Sequence, residues 1–133
     1  MKIIKEKSLK TKSNKEWKKL FLERLLRFAV RIIKLANKLP KTPAGFAIAS
    51  QLIKAGTSIG ANAEEAQDAS SYKDFVQKMS ISLREARETR YWLKVIRTAE
   101  LLRSDDMDSE LSECRELVAI LTTSVKSSKA KFI

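Results

Sequence analysis

Four glutamates, Glu64, Glu65, Glu85 and Glu88, are the residues of this chain whose type and spacing come nearest to catalytic machinery. Carried on two neighbouring helices, they would form a carboxylate cluster of the sort that binds paired metal ions inside helical bundles. Those bundles complete the ligand set with Glu-x-x-His, and the 133-residue chain contains 0 His. The same absence removes His-dependent triads and the usual proton shuttle near neutral pH. The single cysteine, Cys114, excludes an intramolecular disulfide framework and a Cys-cluster zinc site. It falls on an apolar helical stripe, where a cysteine reads as a small buried hydrophobe rather than a reactive thiol. The expectation is therefore a protein that is not an enzyme and has no cofactor and no metal.

The other chemistry on offer is positive charge. Lys and Arg number 27 against 16 Asp and Glu, a formal net charge of +11. Residues 1–19 hold eight lysines against two glutamates, a net +6, and residues 126–133 add Lys126, Lys129 and Lys131 for +3. The intervening 20–125 holds 16 basic and 14 acidic residues and is nearly neutral. The chain is thus divided into a flexible basic N-terminal arm (1–19), a folded domain (20–125) and a basic C-terminal tail (126–133). Clustered lysines bind polyanions by releasing condensed counterions, so Lys10, Lys12, Lys15, Lys18 and Lys19 are candidate contacts to RNA or DNA. The competing reading of the arm is a solubilising tail.

Four helices must position these groups. Phe21, Leu25, Phe28, Ile32, Leu35 and Leu39 recur at steps of three and four, which predicts a buried stripe on a helix from about Asn14 to Leu39. Leu22, Leu26, Ala29, Ile33 and Ala36 form a second stripe beside it. Arg24, Arg27, Arg31, Lys34 and Lys38 run along the opposite face and join the candidate nucleic-acid contacts. Pro40 ends this helix, and Thr42-Pro43 caps and starts a second one that runs to about Asp68. Helix 2 is rich in small residues and carries Gly56 and Gly60 in its interior. Each costs about 1 kcal/mol relative to Ala there, so a close helix crossing is expected. A third helix starts at Ser70 or Ser71 and is expected to reach about Arg103. A fourth starts near Ser104, with Asp105, Asp106 and Asp108 in its first turn. Short connections make successive helices antiparallel, giving an all-α, up-down-up-down four-helix bundle. By charge, helices 1 and 3 are basic and helices 2 and 4 acidic. Each neighbour is therefore of opposite sign, which suits bundle register; the functional alternative is a basic surface on helices 1 and 3.

Some residues do not fit a plain monomeric bundle. Helix 3 has a second stripe of Ile81, Glu85, Glu88, Trp92, Val95 and Ala99, with Tyr91 alongside. Extra half-apolar faces carrying aromatic residues point to a subunit interface. Asn62 with Glu65 or Glu85 reads as a register-fixing hydrogen-bond network, and the Glu85/Arg84 and Glu88/Arg87 pairs are placed to bridge subunits.

Two segments carry a family resemblance. One runs from Ala55 through Gly56, Thr57, Ser58, Ile59, Gly60, Ala61, Asn62, Ala63, Glu64 and Glu65 to Ala66. The other comprises Asp74-Phe75, Lys78 to Thr89 and Tyr91-Trp92-Leu93. Together they resemble the four-helix-bundle family encoded within intervening sequences of bacterial 23S rRNA genes, over about residues 21–125. The resemblance implies a homopentamer with a central channel. A more distant relative is the accessory protein of diversity-generating retroelements, a basic pentamer that binds a reverse transcriptase and nucleic acid. The family offers no catalytic residues to carry over. On that resemblance Ser58, Asn62, Glu65, Glu85, Glu88, Tyr91 and Trp92 form its motif's polar network or interface. The Lys-rich arm lies outside the family pattern.

The expected function is a non-enzymatic homo-oligomer that binds RNA or DNA without reading sequence, with a protein-interaction scaffold as the alternative. The longest unbroken apolar run, Leu117 to Leu121, is five residues, far short of the ~20 needed to span a membrane. No apolar signal region follows the N-terminal lysines, so no membrane role and a cytoplasmic location are expected.

Overall fold

The structure is a computed structural model that describes the backbone of residues 2–131 and the side chains of residues 14–131. Four helices follow in order: α1 (Lys2–Ala36), α2 (Pro43–Gln67), α3 (Tyr72–Thr98) and α4 (Ser104–Ala130). Each helix packs on the next, and α4 closes back on α1, so α1 faces α3 and α2 faces α4 across the core. The expected antiparallel four-helix bundle is the observed architecture.

The expected core stripe of α1 is wholly buried: Phe21, Leu25, Phe28, Ile32, Leu35 and Leu39. Met107, Leu111, Cys114, Val118, Leu121 and Val125 of α4 meet it in the same core. The second α1 stripe is covered only in part. Ala36 is buried, whereas Leu26 and Ile33 remain 60% and 39% exposed.

The helix ends follow local chemistry. Thr42 caps α2, its Oγ1 accepting from the Gly45 N–H at 3.1 Å, with Pro43 in the first turn. Ser71 caps α3, its Oγ accepting from the Asp74 N–H at 3.0 Å, while Asp74 Oδ2 accepts from the Ser70 N–H at 3.3 Å.

Four boundaries differ from expectation. The helical backbone of α1 starts at Lys2 rather than Asn14, and its last turn tightens at Ala36, where the N–H groups of Lys38 and Leu39 bond three residues back to Leu35 and Ala36. Helix α4 continues past residue 125 to Ala130. Helix α3 stops at Thr98, short of the expected Arg103. There Glu100 adopts a positive φ of 55°, the Leu101 N–H bonds Ile96 O at 3.0 Å, and the Glu100 N–H bonds Arg97 O at 3.1 Å. This pair of bonds is a Schellman closure, made with a glutamate where glycine is usual.

The interior glycines lie where α2 crosses α1. A Cβ on Gly56 would stand 2.7 Å from Ile32 Cγ2, and one on Gly60 would stand 3.3 Å from Leu25 Cβ. Close contact between the two helices accounts for both.

Candidate functional site

The basic stripe of α1 faces the acids of α4. Arg24 donates to both carboxylate oxygens of Glu113, at 2.8 Å from Nε and 2.7 Å from Nη2, and also reaches Glu116 at 3.2 Å. Arg31 pairs with Glu110 at 2.9 Å and donates to Ser109 Oγ at 3.1 Å. Lys38 pairs with Asp106 at 3.5 Å. The positions fit antiparallel helices: Arg24, Arg31 and Lys38 recur every seven residues and meet Glu113, Glu110 and Asp106 in reverse order. The Arg24 hydrogen bond holds the Glu113 carboxyl below its ordinary value, opposed by a smaller desolvation effect, and Glu113 in turn raises Arg24. Arg27 and Lys34 are exposed and in no ion pair among the described residues. Three of the five α1 candidates therefore join the bundle together, and two face solvent.

The terminal lysines present a different arrangement. The middle of α1, the end of α2, the start of α3 and the last turns of α4 meet at one pole: Trp17, Phe21, Ala63, Gln67, Phe75, Met79 and Ser124 line one small cavity. Described lysines from the two basic segments consequently lie near that pole. Lys18 and Lys131 line a groove between α1 and α4. Lys73, Arg84 and Lys129 line a second groove between α3 and α4. Lys15, Lys18, Lys19, Lys126 and Lys129 are exposed and make no ion pair among the described residues. Lys131 Nζ stands 6.0 Å from the Tyr72 ring centroid, and Tyr72 Oη donates to Ser128 O at 3.0 Å, pinning α3 to α4. The side chains of Lys10 and Lys12 lie outside the described residues.

The family-motif residues divide by role. Ser58 Oγ donates back to Lys54 O at 2.6 Å, and Asn62 Nδ2 donates to Ser58 O at 2.8 Å, both within α2. A buried hydrogen bond joins α2 to α3: Ser82 Oγ donates to Ile59 O at 2.7 Å. In the sequence Ser82 is a polar residue within the apolar pattern of helix 3. Its place on the buried face, three residues after Met79, was the available signal. Glu65 is exposed and pairs with Lys78 at 3.7 Å. Along the outer face of α3, Tyr91 is 59% exposed and packs edge-on against the half-buried Trp92 at 5.3 Å, while Trp92 Nε1 donates to Glu88 Oε1 at 3.3 Å. Partial burial raises the Glu85 carboxyl, and neighbouring Glu88 adds to the effect. Glu64, Glu65, Glu85 and Glu88 do not converge: among the described residues no group of three or more His, Cys, Asp or Glu side chains could hold a metal ion. Cys114 is fully buried, its Sγ donating to Ala86 O at 3.5 Å, and burial pushes its thiol up to about 12. Among the described residues no helix is long and apolar enough to cross a membrane.

The sequence pattern of the 23S rRNA-intervening sequence protein family matches residues 17–123. Among solved structures, the chain is similar to a protein of unknown function from the S23 ribosomal protein family of Bacteroides thetaiotaomicron. The two share 36% identity with a TM-score of 0.74, over 79% of this chain and 97% of the other. No curated protein matches the chain.

Proposed function

Because the chain belongs to the 23S rRNA-intervening sequence protein family, we propose that it is a non-enzymatic, self-associating four-helix bundle of the cytoplasm that binds RNA or DNA without reading sequence. The observation that carries this reading is that described lysines from both terminal segments, Lys18 with Lys131 in one groove and Lys129 in the next, lie near one pole and are in no ion pair among the described residues. The α1 stripe contributes less than its charge suggests, since Arg24, Arg31 and Lys38 are engaged by α4. The polar contacts are Lys15, Lys18 and Lys19 from α1, Lys126, Lys129 and Lys131 from α4, and Lys73 and Arg84 from α3. Arg27 and Lys34 extend the surface along α1. Among the described residues nothing at the pole resembles a groove-reading helix or a sequence-reading sheet, so affinity comes chiefly from phosphate. Binding of a structured RNA is expected to weaken steeply between about 50 and 200 mM salt, and deletion of residues 1–19 flattens that slope. An affinity indifferent to salt overturns the proposal.

Self-association rests on the half-covered faces. Leu26, Val30 and Ile33 on α1 and Tyr91 on α3 expose apolar area that a lone bundle leaves to water. The pentamer follows from the family resemblance, with the Glu85–Trp92 face as its contact. Light scattering that returns a 15.1 kDa monomer overturns it. The same exposed faces favour a second reading, a scaffold for a partner protein with basic ends that only solubilise. Capture of a partner that survives nuclease treatment favours the scaffold.

A further inference from the structure

Trp17 is a large aromatic residue beside the basic pole that the bundle leaves half exposed. Its indole lies almost parallel to the Phe21 ring, at 5.2 Å and 11°, and Phe21 is buried. The stack fixes the indole in place, yet the residue remains 49% exposed. It forms a wall of the groove between α1 and α4, whose volume is about 750 Å³. Lys18 and Lys131 flank that groove, Thr123 and Ser127 supply hydroxyls along its α4 wall, and no carboxylate lines it among the described residues. A rigid, half-exposed aromatic surface between two ammonium groups matches one chemistry closely. A base stacks on the ring while the neighbouring phosphates meet the lysines. A base within a duplex has both faces covered by its neighbours and cannot use the site.

We propose that the Trp17 groove is a base-stacking subsite that gives this protein a preference for unpaired nucleotides over duplex. The proposal rests on the nucleic-acid reading of the pole and adds to it a distinction between single strand and duplex. The hydroxyls on the α4 wall can meet a ribose or a base edge, so oligouridine and oligothymidine are tested side by side to separate RNA from DNA.

The test compares the full chain with Trp17→Ala and Trp17→Phe by fluorescence anisotropy at low salt. The probes are oligouridine, oligothymidine, an abasic oligonucleotide of equal length and an RNA duplex. Circular dichroism and light scattering confirm fold and assembly for each variant. Removing a stacking platform weakens single-strand binding by about fivefold or more. Trp17→Ala should show that weakening on oligouridine or oligothymidine, and Trp17→Phe should retain most of the affinity. Abasic and duplex binding should hold within about twofold, because they depend on phosphate alone. An equal weakening on the abasic probe, or none on the single strands, overturns the subsite while leaving the basic pole intact. A folded variant that dissociates into smaller species also overturns it, since the groove would then be a contact between copies. If the unaltered protein binds none of the four probes, the nucleic-acid reading fails and the subsite fails with it.

Discussion

Helix α1 is held on its two sides by opposite means. Against α2 it is held by shape: Gly56 and Gly60 let the backbones approach until Ile32 and Leu25 fill the space a side chain would take. Against α4 the approach is looser, and long charged side chains span the gap through Arg24–Glu113, Arg31–Glu110 and Lys38–Asp106. Shape tolerates little change in volume, because packed interiors have no room for added atoms. Charge tolerates distance but not the loss of a partner, because a half-buried carboxylate left alone is costly. The lesson reaches function as well. Of the five cations in the stripe, Arg24, Arg31 and Lys38 fasten α1 to α4, while Arg27 and Lys34 stay exposed like the lysines near the pole.

The largest expected effect breaks the shape-held side. Gly56→Leu forces a side chain into Ile32 and should destabilise the fold by about 2–3 kcal/mol, read as a lowered urea midpoint. Gly60→Ala sharpens the same point. Its Cβ would sit 3.3 Å from Leu25, so crowding and the ~1 kcal/mol gain in helix propensity should roughly cancel.

On the charged side, Arg24→Ala leaves Glu113, whose side chain is only 16% exposed, without its bidentate partner. A loss of about 1–2 kcal/mol is expected in the same denaturation experiment. The pH dependence follows from the direction of the shift. Glu113 is held below its ordinary value in the fold. Its contribution is complete above the unfolded value of about 4.3 and is lost as pH falls through the depressed folded value. The stability gap between the unaltered protein and Glu113→Gln should be present at pH 6 and should close at the acid end. Glu85 carries the opposite sign, because burial raises it. Its ionisation weighs against the isolated fold as pH rises past about 4.3, so Glu85→Gln should be no less stable than the parent at pH 7. Among the ion pairs the smallest effect belongs to Lys38→Ala. That pair is 3.5 Å apart and its partners are 58% and 36% exposed, which puts it within a few tenths of a kcal/mol.

The fold was legible because its signals are local and repeated. The α1 stripe from Phe21 to Leu39, the Thr42-Pro43 start and the Ser71 cap each follow from a few adjacent residues. The end of α3 was not legible, because Glu100 takes a left-handed conformation with no glycine or proline to announce it. At the site, the charge signs of the helices were readable, and the heptad spacing of Arg24, Arg31 and Lys38 held the clue to their partners. Which carboxylate each one meets depends on the antiparallel register of α1 and α4, a property of the assembled bundle. The basic pole was hidden for the same reason. Lys18 and Lys131 are more than a hundred positions apart, and only the four-helix topology brings them to one groove. The Ser82 bond was not legible, because a serine on a buried face is satisfied here by a carbonyl of another helix, which no local pattern reveals.

The proposal turns on whether the pole lysines, rather than the carboxylate-paired Arg24, Arg31 and Lys38, contact the polyanion. The direct measurement is the salt dependence of binding to a single-stranded oligonucleotide for two variants of equal size. One replaces Lys18, Lys126 and Lys129 with glutamine. The other replaces Arg24, Arg31 and Lys38 with glutamine and is measured at a temperature where it remains folded. Removing one lysine–phosphate pairing lowers the logarithmic salt slope by about 0.7. The pole variant should therefore give up to about 2 of the slope, while the stripe variant keeps the slope of the parent. A stripe variant with a flattened slope, beside a pole variant that matches the parent, would contradict the account.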